Sequence, residues 1–131
     1  MSEPFDLVKS YLLELDLTIT QEDEPEELVV VEDEEAGIKN LIVDCEAPIL
    51  VLEQLIMEVP AAPGDLFRRL LQINRTLVHG AFVLDEEGKL VIFRDTLQLA
   101  NLDLNELEGS IGALAVAMAE NGDELLQYAS S

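Results

Sequence analysis

Residues 28–59, LVVVEDEEAGIKNLIVDCEAPILVLEQLIMEV, decide how this chain folds. Runs rich in Val, Ile and Leu cover Leu28 to Glu32, Lys39 to Cys45 and Ile49 to Val59, and they are separated by Asp33 to Gly37 and by Glu46-Ala47-Pro48. The runs have strand composition and the separators are residue types that reverse a chain. Connections this short cannot carry a parallel crossover, so the segment predicts an antiparallel meander. Along the third run, alternation puts Ile49, Val51, Leu55 and Met57 on one face and Leu50, Leu52 and Ile56 on the other. A sheet covered by helices on one side leaves one of these apolar sets open, and an open set is a candidate interface.

Upstream, Phe5, Val8, Leu12 and Leu15 recur at helical spacing and predict a helix over about Pro4 to Leu15. Residues Glu22 to Glu35 hold nine acidic side chains and no basic one. Glu22 to Glu27 therefore reads as a charged loop, with Leu17 to Thr20 as a further short edge strand. Downstream, Pro60 to Gly64 breaks the sheet, and Leu66, Leu70, Ile73 and Leu77 mark a helix over about Asp65 to Val78. Ala81 to Leu84 and Leu90 to Phe93 flank Asp85-Glu86-Glu87-Gly88, a hairpin whose glycine suits a left-handed position. Asp103 caps a last helix with Glu106 three residues on, and its stripe is Leu104, Leu107, Ile111, Leu114 and Met118. Asn121-Gly122 is expected to end or bend this helix, leaving Asp123 to Tyr128 as a last turn or a short fourth helix. The expectation is one α+β domain over residues 1–131 in the order α-βββ-α-ββ-α, a twisted antiparallel sheet of about five strands packed with N-terminal, central and C-terminal helices.

With 28 acidic residues against seven basic ones the net charge is −21. Nucleic acid needs a basic patch, and the nearest approach is Arg68, Arg69 and Arg75. Anionic lipid would be repelled. The charge favours cationic or amphipathic protein partners, although many soluble proteins are simply acidic. No apolar run approaches the roughly 20 residues that span a bilayer. The Met1-Ser2-Glu3 start carries no basic signal region. A lone Cys45 forms no internal disulfide, so the expected location is the cytoplasm.

Motifs for chemistry are missing. Neither glycine-rich phosphate loop occurs, and one histidine with one cysteine makes no zinc pattern, so no cofactor, no metal and no catalytic residue is expected. Cys45 and His79 could in principle form a nucleophile and base, but no flanking motif supports the pair. The alternative places Cys45 as a small apolar side chain in a strand and His79 at a helix exit. The Asp85 loop fails as a calcium loop, because Lys89 and Thr96 stand where oxygen ligands are required. Asn74, on the apolar face of the central helix, either bonds a neighbouring backbone group or marks a dimer contact.

The pattern Leu70-Leu71-x-x-Asn74, then Gly80-x-Phe82-x-Leu84-Asp85-Glu86-x-Gly88, then Leu102-Asp103-x-Asn105-Glu106-Leu107-Glu108 resembles the superfamily that joins class I type III secretion chaperones with YbjN-like proteins. The resemblance implies helices on a twisted antiparallel sheet, a homodimer, and no cofactor or catalytic group. It implies one of two roles. The first is capture of an extended polypeptide segment, as secretion chaperones hold part of an effector, and the second is a YbjN-like regulatory part in a signalling or stress pathway. For the first role, strand alternation nominates Val29, Val31, Ile49, Val51 and Leu55 as partner contacts. A client adding its backbone to a sheet edge gains affinity with no reactive group.

Overall fold

The structure, a computed structural model, describes residues 3–130. Met1 and Ser2 of the chain's start lie outside the described residues. The order is α1 (Glu3–Glu14), β1 (Thr18–Asp23), β2 (Leu28–Asp33), a single 3-10 turn (Glu34–Ala36), β3 (Ile38–Glu46), β4 (Ile49–Glu58), α2 (Leu66–Asn74), β5 (Ala81–Leu84), β6 (Leu90–Gln98) and α3 (Leu104–Ala129). The strands form one antiparallel sheet in the order β1-β2-β3-β4-β6-β5. The α+β architecture and the meander of β2, β3 and β4 are as expected.

Six strands replace the expected five or so. β1 reaches Asp23 and takes in Glu22, which charge alone had assigned to a loop. Its side chains are almost all exposed, so acidic residues cost little there. Lys9 holds the pairing close to α1, standing 4.5 Å from the centre of the Phe5 ring and 3.1 Å from Glu22 Oε2.

One face of the sheet carries the core. Val29, Val43 and Leu52 stand in register across β2, β3 and β4, as do Cys45, Leu50 and Leu97 across β3, β4 and β6. These pack against Phe5, Val8 and Leu12 of α1, Leu66, Leu70 and Ile73 of α2, and Leu107, Ile111, Leu114 and Leu125 of α3 in one cluster. The rings of Phe82 and Phe93 meet edge to face at 5.5 Å. Gly80 is required beside them: its φ is +73°, and a Cβ there would lie 2.5 Å from the Phe93 ring.

Two helix ends depart from expectation. α2 stops at Asn74, where the expected helix ran to Val78, because the Asn74 side chain turns to the next strand. Its Nδ2 donates to Phe82 O at 3.0 Å and its Oδ1 accepts from Phe82 N at 2.8 Å. α3 runs unbroken through Asn121-Gly122 to Ala129. Asn121 donates back to Ala117 O within the helix, and the stripe continues to buried Leu125. Burying a leucine is worth about 1.5–3 kcal/mol, which exceeds the roughly 1 kcal/mol that a helical glycine costs. The Asp103 cap forms as read, accepting from Glu106 N at 2.8 Å, and Gly88 is left-handed with φ +72°.

Candidate functional site

Among the described residues, no helix belongs to the other face of the sheet. In register across it run Val30, Ile42, Glu53, Arg94 and Ala81, then Leu28, Asp44, Val51 and Thr96, then Leu55, Ile92 and Val83. None of these apolar residues belongs to the core cluster or to the side chains packed around it. Ile42 and Leu55 are exposed, and Val51 is buried without belonging to the core cluster. The result is an apolar field interrupted by charge.

Its charges are organised. Glu53 and Arg94 pair at 3.1 Å in the middle of the field. Beside Val51, burial first and then the charges of Glu46, Glu26 and Glu53 push the Asp44 carboxyl above its ordinary value. A carboxylate surrounded by like charge is relieved by any cation brought against it, so this face suits a segment that is both apolar and basic.

Of the five nominated contacts, the structure puts Ile49, Val51 and Leu55 on this face. Val29 and Val31 are corrected: both are fully buried on the opposite, helix-covered side. The run Leu28 to Val31 is apolar at every position, so alternation could not say which set faces out, and a one-residue change of phase exchanges the faces. Their neighbours Leu28 and Val30 hold the open positions. Met57 is corrected as well, because a bulge between Leu55 and Met57 inserts Ile56 and turns Met57 inward against Val91. Of the two readings of Asn74, the structure shows the backbone one: its pair of hydrogen bonds with the Phe82 backbone docks β5 onto the end of α2.

Cys45 and His79 are not assembled as a reactive pair. Cys45 sits in the core, where burial raises its thiol to about 11, so it is protonated at neutral pH and a poor nucleophile. His79 lies beside Gly109 of α3 in a shallow cleft also lined by Leu97. Leu97 and Cys45 are separated by Leu50 of β4, a span of two strand spacings or about 10 Å. Asp85 uses its carboxylate within the hairpin, accepting from Lys89 N and Leu90 N. The Leu90 amide foremost holds that carboxyl below its ordinary value. Among the described residues no group of three or more His, Cys, Asp and Glu is placed to hold a metal ion, and no helix is long and apolar enough to cross a membrane.

A helix-backed antiparallel sheet of this order, with one face bare, has the fold shared by type III secretion chaperones and YbjN-like proteins. The chain belongs to the CesT_Tir_1 family, a type III chaperone family whose model matches residues 1–131. Among solved structures it is similar to YbjN from E. coli, described as a candidate transcription regulator, at 13% identity and a TM-score of 0.70 over 92% of each chain. It is similar to a chain of the HopA1–SchA chaperone–effector complex, at 14% identity and a TM-score of 0.62 over 87% of this chain and 89% of that one. It also matches a chain of the ExsC–ExsE complex, at 21% identity and a TM-score of 0.61 over 86% of each chain. At these identities the likeness is one of fold. No match was found among curated protein sequences.

Proposed function

We propose that this protein is a non-catalytic, cytoplasmic chaperone-like module that binds an extended segment of another protein and works as a homodimer. The observation that carries the reading is the helix-free sheet face, where Ile42, Ile49, Leu55 and Ile92 lie exposed or half-buried around Val51 and beside Asp44, whose carboxyl is raised by burial and by the neighbouring acids. Folding leaves such a face unused, and apolar surface of this kind marks an interaction site. Family membership and the chaperone–effector complex among the fold neighbours support a polypeptide as the occupant. The strong negative charge disfavours nucleic acid and anionic membrane as partners.

Pairing of two copies is supported by α2. Its outward residues Phe67 and Leu71 are exposed, and Arg68 and Arg75 beside them give a basic, apolar stripe on an otherwise acidic molecule. A second acidic copy complements that stripe. The regulatory reading draws on the likeness to YbjN, and the charge favours regulation through a protein contact over contact with DNA.

The test is affinity capture from the native cytoplasm with identification of the bound polypeptide, repeated with the double variant Ile42→Glu/Leu55→Glu. The variant should keep a native circular-dichroism spectrum and lose the captured polypeptide at least tenfold. Undiminished capture by a folded variant removes this face from the reading, and a monomer mass by light scattering at working concentration removes the homodimer.

A further inference from the structure

The sheet is not continuous between its two middle strands. β3 and β4 pair only from Glu46 opposite Ile49 to Ile42 opposite Glu53. Beyond that, Ile38 to Leu41 pair only with β2, and Gln54 to Glu58 pair only with β6. Two irregularities face each other where the strands part: Asn40 is left-handed with φ +53°, and β4 carries the Ile56 bulge. The outcome is a fork inside a sheet, with one bare backbone edge on each prong.

A side chain now occupies the fork. Gln54 is 4% exposed, its Oε1 accepts from Lys39 N at 2.9 Å, and its Nε2 donates to Gly37 O at 3.1 Å. Gly37 and Lys39 flank Ile38, so one side-chain amide fills the two hydrogen-bonding positions that a paired strand would fill there. A buried amide is costly unless bonded, and these two bonds satisfy it. The cleft around it holds about 560 Å³, within the range of about 300–1,000 Å³ typical of ligand sites. Leu55, Ile56 and Met118 form its apolar wall, and Glu34, Lys39 and Asn40 its polar one. Met118 also lines two adjoining clefts along α3, one reaching Val116 and one reaching Leu126, so the fork opens into a longer groove. Thioether side chains adapt to varied apolar neighbours.

We infer that this fork is a strand-insertion slot that takes three or four residues of an extended, apolar and basic segment of another protein, displacing the Gln54 side chain. The inference rests on the proposal that the chain binds polypeptide, and names a site that adjoins the bare sheet face at Leu55. An extended backbone is the occupant because its N–H and C=O groups recur along its length and so can follow β3 beyond the one pair of positions that the Gln54 amide reaches. Alternate side chains of the segment meet the Leu55, Ile56 and Met118 wall. A basic residue is favoured by Glu34 at the rim and by the net charge of −21.

Residue-resolved NMR of the full chain tests this with a capped hexapeptide of alternating valine and lysine, and with the same peptide methylated on alternate backbone nitrogens. Methylation keeps side chains and charge but removes strand pairing. The unmodified probe should shift the amide signals of Lys39, Asn40, Leu55 and Ile56 and bind about tenfold or more tightly than the methylated one, the effect of a backbone hydrogen bond or two. Met118→Lys, checked for a native spectrum, should abolish those shifts. Equal binding of both peptides, or slot shifts that persist in the Met118 variant, overturns the inference. Shifts confined to Val30, Ile42 and Ile92 overturn the slot while leaving the wider proposal standing, and no shift anywhere overturns both.

Discussion

The two faces of this sheet are built by the same strands, often by consecutive residues, and they are under different rules. On the helix-covered side Val29, Val43, Leu50 and Phe93 are sealed from water. Polar groups there are each held, Gln54 by the β3 backbone and Asp95 by the Ser110 hydroxyl at 2.7 Å. On the bare side Val30, Ile42 and Ile92 stand next to Glu53, Arg94 and Asp44 with no second layer above them. Core packing selects the first set for shape and apolarity. It places no such demand on the second, so a strand that is apolar on both faces carries information about something other than folding.

The largest effect expected from this comparison separates Val29 from Val30. Val29→Asp places an unpaired carboxyl in the core and should cost about 3–5 kcal/mol, a large part of a typical domain stability of about 5–15 kcal/mol. Val30→Asp faces the bare side and should cost under about 1 kcal/mol. Urea unfolding measures both. Similar losses at the two positions mean that the second face is covered in solution, and the contrast drawn between the faces collapses.

The same pair shows how much the sequence could say. Element types and their order were legible apart from β1, which charge shortened to an edge strand over Leu17 to Thr20, because hydrophobic spacing and turn chemistry are local signals. Alternation separated the two apolar sets of β4 as far as Leu55, and it failed in β2, where four consecutive apolar residues carry no phase. Bulges hid the rest: no residue type marks Ile56 as an inserted position, yet it decides where Met57 points. The fork was invisible for a similar reason. Its one clue was a glutamine inside ILVLEQLIMEV, a polar residue that burial would force to find partners. Asn74 gave the same kind of clue and could be read to the level of a backbone bond, but its partner, Phe82, is set by tertiary packing.

Neighbouring residues also contrast the faces by titration. Cys45 points to the core, and its thiol is raised to about 11 by burial, with Glu27 and Asp44 adding to the effect. Below pH 9 both folded and unfolded chains keep this proton, and its ionisation has no effect on stability. Between the ordinary value near 9 and about 11 only the unfolded chain releases it, so stability falls as pH rises. One proton gives at most about 1.4 kcal/mol per pH unit and about 2–3 kcal/mol in all. Thermal unfolding of the native chain and of Cys45→Ala, followed from pH 8 to 11, isolates the term. The variant should start less stable and lose less with pH, and parallel curves would show that the thiol is not sheltered by the covered face.

Asp44, one residue earlier and on the bare side, should give the smallest change in stability and the one that bears most directly on binding. Its carboxyl is raised by burial and by Glu46, Glu26 and Glu53, so its charged form is less comfortable in the folded chain than in the unfolded one. For an acid shifted in this direction, folding is favoured while the proton is held and loses ground as pH rises through the ordinary value of 3.8 and above. Asp44→Asn removes the charge, and at neutral pH it should leave stability unchanged or raise it by no more than about 1 kcal/mol, the scale of surface charge terms. If the bare face recruits basic segments through this acidic island, the same substitution must weaken binding of a lysine-containing peptide and flatten its dependence on salt. A residue whose removal helps the fold and harms the complex is placed for the partner. Should Asp44→Asn instead destabilise the chain and leave peptide affinity untouched, its charge serves the sheet, and the electrostatic half of the case for a cationic client falls while the apolar half remains to be judged by Ile42 and Leu55.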